Sequence, residues 1–246
     1  MYTLLLRLAA PVQSWGVDSI YNVRRTQKEP TKSGVVGLIA ASMGRRRDEA
    51  VDDLARLRFG VRVDQEGEVH RDYHTAKSPV NKKDAFITYR YYIEDAAFLA
   101  GLESEDKEFL EYIHECLRTP SFAPFLGRRA CPPTYPLTLG IREAGLEQAL
   151  FEEPWLAAEW RKKKLNNDLP VYVECSEAEE GMLQKDVPIS FDIKGKKYGY
   201  RYVKFAGTVH MDIPEEHGQE DDGSNAGQTG KKQHDPMQEL RREACT

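Results

Sequence analysis

The sequence lacks the clusters that a disulfide framework or a zinc site requires. Its four cysteines, in 246 residues, include no Cys-x-x-Cys pair and no Cys/His set with the spacing of a metal site. We therefore expect free thiols and no metal or other cofactor. A long apolar run is also missing, and the first residues, MYTLLLRLAAP, contain Arg7 and have no basic lead-in. These absences predict a cytoplasmic protein that has neither a membrane partner nor a signal peptide.

Most of the chain also lacks an excess of charge of either sign. The formal net charge is −5, but residues 212–246 hold nine acids and four bases, which leaves 31 bases and 31 acids in residues 1–211. Local clusters, rather than net charge, govern binding to phosphate. Basic clusters occur at residues 24–32, 45–47, 56–62, 128–129 and 161–164.

Apolar periodicity predicts an α+β fold. Strand patterns at 2–9, 57–63, 96–102 and 135–141 alternate with helix patterns at 33–43 and 105–118 in the order of a ferredoxin-like unit, the architecture of RNA-recognition modules. Beyond residue 144 a helical stretch precedes three short strand patterns, and beyond residue 213 large apolar residues are scarce. We expect a ferredoxin-like (RRM-like) domain at 1–144, a small, mostly β region at 145–213 and a disordered tail at 214–246.

Residues 24–44, RRTQKEPTKSGVVGLIAASMG, place a basic approach before a small apolar helix. Thr31 or Ser33 can cap this helix, and Gly44 can end it in a left-handed conformation. Free N–H groups, partial positive charge and the preceding bases suit a phosphate at its N-terminus. An ordinary capped helix with solvated charges explains the same residues, so both interpretations stay open.

The strand pattern at 57–63 predicts one buried face and one exposed, basic face that carries Arg58 and Arg62. A turn at 64–67 would return the chain as a hairpin into VHRDYHT, residues 69–75. There His70, Asp72 and His74 share a face, but the two histidines would lie roughly 13 Å apart along an extended strand. That separation does not favour a metal site.

Three further segments offer groups that suit RNA. Trp15, in the loop PVQSWG, can stack on a base or anchor the loop. Arg90 lies among three tyrosines in FITYRYYI, which suits a phosphate beside stacking surfaces and equally suits a half-buried strand. Gly127 can bring the backbone close to a ligand, and Arg128 with Arg129 supplies forked donors; a tight turn with two exposed arginines is the alternative.

The ordered set of motifs resembles the CRISPR-associated RAMP family, and within it the CasD-like subunits of type I-E Cascade complexes. The matching pieces are LRLAAPVQSWG, Arg24 and Thr26 followed by PTKSGVVGL, RDYHT, TYRYYIEDAAF and FLGRRACPPTYPLTLG. They cover most of residues 3–140, whereas the match is weak from about 145 to 205.

The resemblance implies a non-catalytic scaffold whose ferredoxin-like domain carries an inserted β-hairpin thumb at about residues 76–91. Such a subunit grips the 5′ handle of the CRISPR RNA and caps the backbone filament. Its neighbours would be CasC backbone subunits and the large CasA subunit, and target DNA would be reached indirectly through the complex.

On this basis we expect RNA contacts from phosphate-binding, backbone-approach and stacking residues. The candidates are Trp15, Arg24, Lys32, Ser33, Gly34, Arg71, Tyr73, His74, Arg90, Gly127, Arg128 and Arg129. An alternative is a metal-independent endoribonuclease that trims the CRISPR RNA precursor, as type I-C relatives do, with His74, Tyr73 and Lys77 supplying acid–base chemistry. A third possibility is an assembly subunit with little RNA affinity of its own.

Overall fold

The computed structural model describes residues 1–16, 22–77 and 85–212. Within these ranges it contains eleven strands and five α-helices, together with one 3-10 turn at Glu177–Glu179. In chain order they are β1 (Tyr2–Ala9), β2 (Val12–Gln13), β3 (Val23–Arg24), α1 (Lys32–Ser42), α2 (Asp52–Ala55), β4 (Arg58–Gln65), β5 (Glu68–Lys77), β6 (Ala85–Glu94), β7 (Ala97–Ser104), α3 (Lys107–Arg118), β8 (Thr138–Arg142), α4 (Leu146–Glu152), α5 (Glu159–Lys162), β9 (Asp168–Cys175), β10 (Met182–Ser190) and β11 (Lys197–His210). None of the helices in the described ranges has the length and apolarity needed to cross a membrane.

Seven strands form an antiparallel sheet in the order β10-β11-β9-β4-β7-β1-β8. Strand β1, which lies between β7 and β8, is apolar almost throughout because both of its faces are covered. Leu4, Leu6 and Leu8 belong to the large core cluster that includes α1 and α3. Leu5 belongs to a second cluster, built with α4 on the other face. The result is a mixed α/β fold in which α1 and α3 pack on one face of the main sheet and α4 packs on the other.

Helix α1 begins and ends where its sequence predicts. The Thr31 hydroxyl accepts a hydrogen bond from the Gly34 N–H at 3.2 Å, and Gly44, just beyond the helix, has φ +82°. Small residues let α1 lie close to its neighbours, and eight of its eleven residues are buried. The prediction of a helix at 33–43 is confirmed to within one residue at each end.

A second sheet forms around β6, which pairs with β2 and β3 along one edge and with β5 along the other. The β5–β6 pair runs from Glu68 opposite Glu94 to Lys77 opposite Ala85, and we call this pair the β5–β6 ribbon. The insertion predicted at 76–91 falls in this part of the chain, and its middle, residues 78–84, lies outside the described residues.

The predicted hairpin between residues 57–63 and 69–75 is wrong. Strand β4 pairs with β7 and β9 in the main sheet, whereas β5 pairs with β6 in the second sheet. The chain changes sheet near Gly67, where a Cβ atom would lie 2.4 Å from the Glu94 carbonyl oxygen. The alternating pattern at 57–63 correctly predicted a strand, but the strands that pair with β4 lie far along the chain.

The exposed basic face predicted for β4 is wrong as well. The Arg62 side chain is fully buried and forms an ion pair with Asp64, with Nε 2.8 Å from Oδ1. Its guanidinium also donates to the carbonyl oxygens of Leu150, Glu153 and Pro154 at 2.6–2.9 Å. This arginine joins α4 and the segment that follows it to the sheet.

The C-terminal strands extend the main sheet instead of forming a sheet of their own. Strand β9 pairs with β4, and β11 and β10 follow outward from β9. The boundary predicted at residue 144 therefore does not divide the sheet. The tail predicted at 214–246 lies outside the described residues.

Candidate nucleic-acid interface

Residues 14 and 15 contact two other motif segments, the loop around residue 127 and the approach to α1. The Ser14 N–H donates to the Leu126 carbonyl at 3.2 Å, and the Gln27 N–H donates to the Trp15 carbonyl at 2.7 Å. Gly127 has φ +80°, and a Cβ there would lie 1.7 Å from the Ser14 carbonyl oxygen. The loop around residue 127, the approach to α1 and the PVQSWG segment are therefore held together. The close backbone approach predicted at Gly127 is made to the protein's own chain.

Trp15 is an internal anchor, which corrects its assignment as a base-stacking residue. Its side chain is fully buried, and its indole N–H donates to Gln13 Oε1 at 3.1 Å. A Cβ on Gly34 would lie 2.7 Å from the indole ring. Gly34 is thus required for packing α1 on Trp15, and Trp15 offers no open face for a base.

The N-terminus of α1 is already occupied by a carboxylate, which corrects the phosphate site predicted there. The Lys32 N–H donates to Asp186 Oδ2 at 2.8 Å, and this carboxylate is also bound by Arg201. A helix N-terminus favours an anion, and β10 supplies it from within the chain.

The side chains at the start of α1 are also enclosed. Lys32 is 2% exposed, and its ammonium lies 2.7 Å from a Glu174 carboxylate oxygen. Burial lowers the pKa of Lys32, an effect that Glu174 partly offsets. Ser33 is 8% exposed. Lys32 and Ser33 are therefore corrected to buried structural residues, and Lys32 joins α1 to β9 and β10.

Three of the predicted phosphate ligands do come together, and we call Arg24, Arg90 and Arg128 the arginine cluster. Arg24 on β3 lies opposite Arg90 on β6 in the parallel register. Arg128 Nη2 donates to the Arg24 carbonyl oxygen at 2.9 Å. The Arg128 guanidinium also lies over the Tyr92 ring, 4.7 Å from its centroid. Residues from three distant segments thus place three permanent positive charges on one side of the second sheet.

Two nitrogen atoms of this cluster lack hydrogen-bond partners. Among the described residues, Arg90 Nε and Arg128 Nη1 are the buried side-chain polar atoms that have none. Buried donors are normally satisfied, and guanidinium groups bind the paired oxygens of phosphates and carboxylates. An anion bound by these guanidinium groups would supply acceptors for such donors and reduce the repulsion among the three arginines.

Gly127 and Arg129 flank the cluster at the surface, and both are exposed. Arg129 forms no ion pair with any residue in the described ranges. It is therefore free to meet a ligand that reaches Arg128 from solvent.

The ribbon divides the remaining candidates between its two faces, because successive residues of a strand point in opposite directions. Arg71 and Tyr73 lie with Tyr89 on one face: the Arg71 guanidinium is 5.2 Å from the Tyr89 ring centroid, and the Tyr73 and Tyr89 rings meet edge-on at 5.9 Å. Tyr73 is 58% exposed. His74 shares the opposite face with Arg90.

The alternation of side chains along β5 also separates the three residues proposed for an endoribonuclease. His74 lies on the opposite face from Tyr73 and Lys77, so the strand does not gather an acid–base set. In the described part of the chain, no group of three or more His, Cys, Asp or Glu side chains is arranged for a metal ion.

The sequence did not reveal the carboxylates that pair with Lys32 and so determine whether the start of α1 is accessible to a ligand. Asp186 lies 154 positions from Lys32, and Glu174 lies 142 positions from it. No local pattern connects these residues. The contact between Arg128 and the Tyr92 ring was only weakly indicated by the sequence. The segment FITYRYYI places tyrosines on both sides of Arg90, which suggests stacking surfaces but does not identify Arg128 as their partner.

Comparison with known proteins identifies the family. A model of the family described as CRISPR-associated protein (Cas_Cas5) matches residues 3–204. The Escherichia coli (strain K12) protein "CRISPR system Cascade subunit CasD" is 33% identical over 160 residues, which span 57% of this chain and 71% of the relative.

Two solved structures are similar along most of their length. A chain of a "CRISPR RNA-guided surveillance complex" has TM-score 0.72 and 30% identity, covering 85% of this chain and 91% of that one. A structure titled "Crystal structure of Cas protein" has TM-score 0.66 and 38% identity, covering 86% and 100%. These matches confirm the resemblance seen in the motifs, and the chain belongs to the CRISPR-associated Cas5 family.

Proposed function

We propose that this chain is a non-catalytic, RNA-binding subunit of a Cascade-type CRISPR surveillance complex. In this role it holds the 5′ handle of the CRISPR RNA and caps the backbone filament. The observation that carries the proposal is the arginine cluster with its two unsatisfied buried donors. The similarity to a subunit named CasD and to a chain of an RNA-guided complex supports it.

The topology supports the same assignment. The strand order β4-β7-β1-β8, with α1 between β1 and β4 and α3 between β7 and β8, corresponds to a ferredoxin-like unit. In this proposal the β5–β6 ribbon is its thumb. CasC backbone subunits and the large CasA subunit are its neighbours, and target DNA is reached only through the complex.

The proposed division of labour follows from the chemistry of single-stranded RNA. Arginines and backbone groups position the phosphates, and exposed aromatic side chains stack on unpaired bases. Arg24, Arg90, Arg128 and Arg129 supply the phosphate contacts. Tyr73, with Arg71 beside it, supplies a stacking surface on the other face of the ribbon, where a bent RNA would wrap around the strand.

The test is binding of a handle RNA, measured by fluorescence anisotropy as a function of salt. Arg128→Gln/Arg129→Gln should lower the affinity and reduce the slope of log K against log salt by roughly 1.4, because each phosphate contact to a single strand contributes about 0.7. Arg46→Gln/Arg47→Gln is the matched control, since it removes two exposed positive charges elsewhere. Equal losses in the two variants would reduce the effect to net charge and refute the proposed site.

Two further measurements separate the alternatives. Arg90→Gln tests the cluster without removing the contacts that Arg128 makes to Arg24 and Tyr92. RNA binding that requires added CasC would indicate an assembly subunit with little affinity of its own. Specific cleavage of repeat RNA in EDTA that is lost in His74→Ala would indicate the endoribonuclease and overturn the non-catalytic assignment.

A further inference from the structure

The β10–β11 hairpin carries a local excess of positive charge. Residues 182–204 contain six basic and two acidic residues, whereas residues 1–211 as a whole are balanced. One of the two acids, Asp186, is buried and paired with Arg201. The other, Asp192, accepts a hydrogen bond from the Lys194 N–H at 2.9 Å and so shapes the turn.

Four exposed lysines near the turn have no acidic partner, and we call Lys185, Lys194, Lys196 and Lys197 the hairpin lysines. None of them forms an ion pair within the described ranges. Lysines elsewhere on the surface do so: Lys107 pairs with Glu143 at 3.1 Å, and Lys162 pairs with Glu159 at 2.5 Å. The hairpin therefore presents cationic groups that the chain itself does not neutralise.

An exposed aromatic side chain lies beside one of these lysines. Tyr200 is 61% exposed, and the Lys185 ammonium lies 5.8 Å from its ring centroid. An exposed ring on a sheet surface with a cation beside it has the composition of a stacking platform for an unpaired base.

The hairpin is remote in topology from the arginine cluster. Strands β10 and β11 form one edge of the seven-stranded sheet, whereas Arg24 and Arg90 belong to the second sheet. The two basic surfaces can therefore bind different stretches of nucleic acid, and each can be altered without touching the other.

We infer that the turn end of the β10–β11 hairpin is a second nucleic-acid site, which binds single strands of any sequence through the hairpin lysines and Tyr200. The ligand class follows from the groups present. Lysine is a point charge on a flexible stem, so it binds phosphate without reading a base. Tyr200 favours a single strand over a duplex because paired bases do not expose their faces. This site goes beyond the proposed handle site, which recognises one RNA segment.

The strand geometry limits the size of the site. Tyr200 and Lys197 are three residues apart, so they lie roughly 10 Å apart along an extended strand and on opposite faces of it. A short single strand that stacks on Tyr200 beside Lys185 and passes around the turn can contact the lysines there. For three phosphate contacts, the slope of log K against log salt is about −2.

The experiment uses the full-length chain and a fluorescent 20-nucleotide oligothymidylate, which has neither 2′-OH groups nor handle sequence. Lys194→Gln/Lys196→Gln/Lys197→Gln should abolish most of the salt dependence and weaken binding by at least tenfold at low salt. The control, Arg46→Gln/Arg47→Gln/Lys107→Gln, removes the same charge elsewhere and should retain the affinity. Equal losses in both variants, or no binding by the wild-type chain at low salt, would overturn the inference.

Tyr200→Ala tests the stacking contribution separately. It should weaken binding of the oligothymidylate at least about fivefold, the lower end of the cost of losing a base–aromatic stack, and leave binding of a 20-base-pair duplex unchanged. If the duplex binds as tightly as the single strand and Tyr200→Ala changes neither affinity, the single-strand site is wrong. Equal binding of a polyglutamate peptide would assign the lysines to an acidic protein surface and would also overturn it.

A last comparison keeps this site distinct from the handle site. Arg128→Gln/Arg129→Gln should retain its affinity for the oligothymidylate, and the triple lysine variant should retain its affinity for handle RNA. Loss of oligothymidylate binding in the arginine variant would show that both probes use one surface, which refutes the second site and leaves the proposed function standing. Loss of handle binding alone in the arginine variant supports both sites.

Discussion

Replacing Arg62 by methionine should destabilise the fold more than any surface substitution. The guanidinium is fully buried and donates to both carboxylate oxygens of Asp64, at 2.8 and 2.9 Å. It also donates to three carbonyl oxygens at the end of α4 and beyond it. Methionine fills similar space but leaves the carboxylate and the carbonyl groups without these donors.

The expected loss can be estimated from these contacts. Removing one partner of a buried ion pair costs roughly 3–5 kcal/mol, because the remaining charge stays desolvated. Each carbonyl that loses a donor adds up to about 1 kcal/mol, although solvent or rearrangement recovers part of it. We expect a total of about 4–6 kcal/mol, a large fraction of the roughly 5–15 kcal/mol that stabilises a typical domain.

The assay is equilibrium urea unfolding followed by circular dichroism and tryptophan fluorescence. Trp155 is a local reporter because its indole N–H donates to the Asp64 carbonyl oxygen at 2.6 Å. Arg56→Met is the control: it makes the same chemical change at an exposed position in the same part of the chain, and it should change stability by less than about 0.5 kcal/mol. A loss below about 1 kcal/mol for Arg62→Met would refute the reasoning.

The loss should also depend on pH. Burial raises the pKa of Asp64, and Arg62 offsets part of that rise. Without Arg62 the pKa of Asp64 in the folded state rises further above its unfolded value. When folding raises a carboxyl pKa, protonation of that carboxyl stabilises the folded state, and this contribution is lost as pH rises through the folded-state pKa. Arg62→Met should therefore be less destabilised near pH 4 than near pH 8. A loss that is independent of pH would show that Asp64 is solvated in the variant.

Two further predictions concern backbone space and a surface carboxylate. Gly127→Ala should lower the free energy of unfolding by at least about 2 kcal/mol in urea unfolding. The substitution is opposed both by the φ of +80° and by the Ser14 carbonyl oxygen, which would lie 1.7 Å from the new Cβ. Gly195→Ala is the control and should be nearly neutral, because no atom lies within 4 Å of its Cβ position. The hydrogen bond from Lys204 lowers the pKa of Glu179 to about 2, so stability from this pair is present above pH 4.5 and is lost as pH falls toward 2. In an NMR titration, Lys204→Met should raise the Glu179 pKa toward 4.5, and an unchanged pKa would contradict the assignment.

The elements with strong local signals were predictable. Thr31 and Gly44 bounded α1. The apolar stripe at 105–118 predicted a second helix, α3, which buries Leu110, Ile113 and Leu117. Each of these signals involves residues within a few positions of one another. Strand pairing has no such signal, which is why the hairpin assigned to residues 57–75 was wrong although both strands exist.

The candidate site was only partly predictable for the same reason. Arg24, Arg90 and Arg128 were predicted to bind phosphate, and the structure places these three residues together. Trp15 and Lys32 carried equally suitable chemistry but are buried. Whether a basic or aromatic side chain is open to a ligand depends on what packs over it, and those partners come from other elements.

The sequence by itself determined the family, the main helices and strands, and the residue types available for RNA, because motifs, caps and periodicity are local properties. The tertiary structure alone decided which of those residues remain accessible. Asp186 and Glu174 reach the start of α1 from strands that lie more than 140 positions away, and their carboxylates occupy the place predicted for phosphate. The arginine cluster keeps its unsatisfied donors because, among the described residues, no carboxylate has been folded onto them.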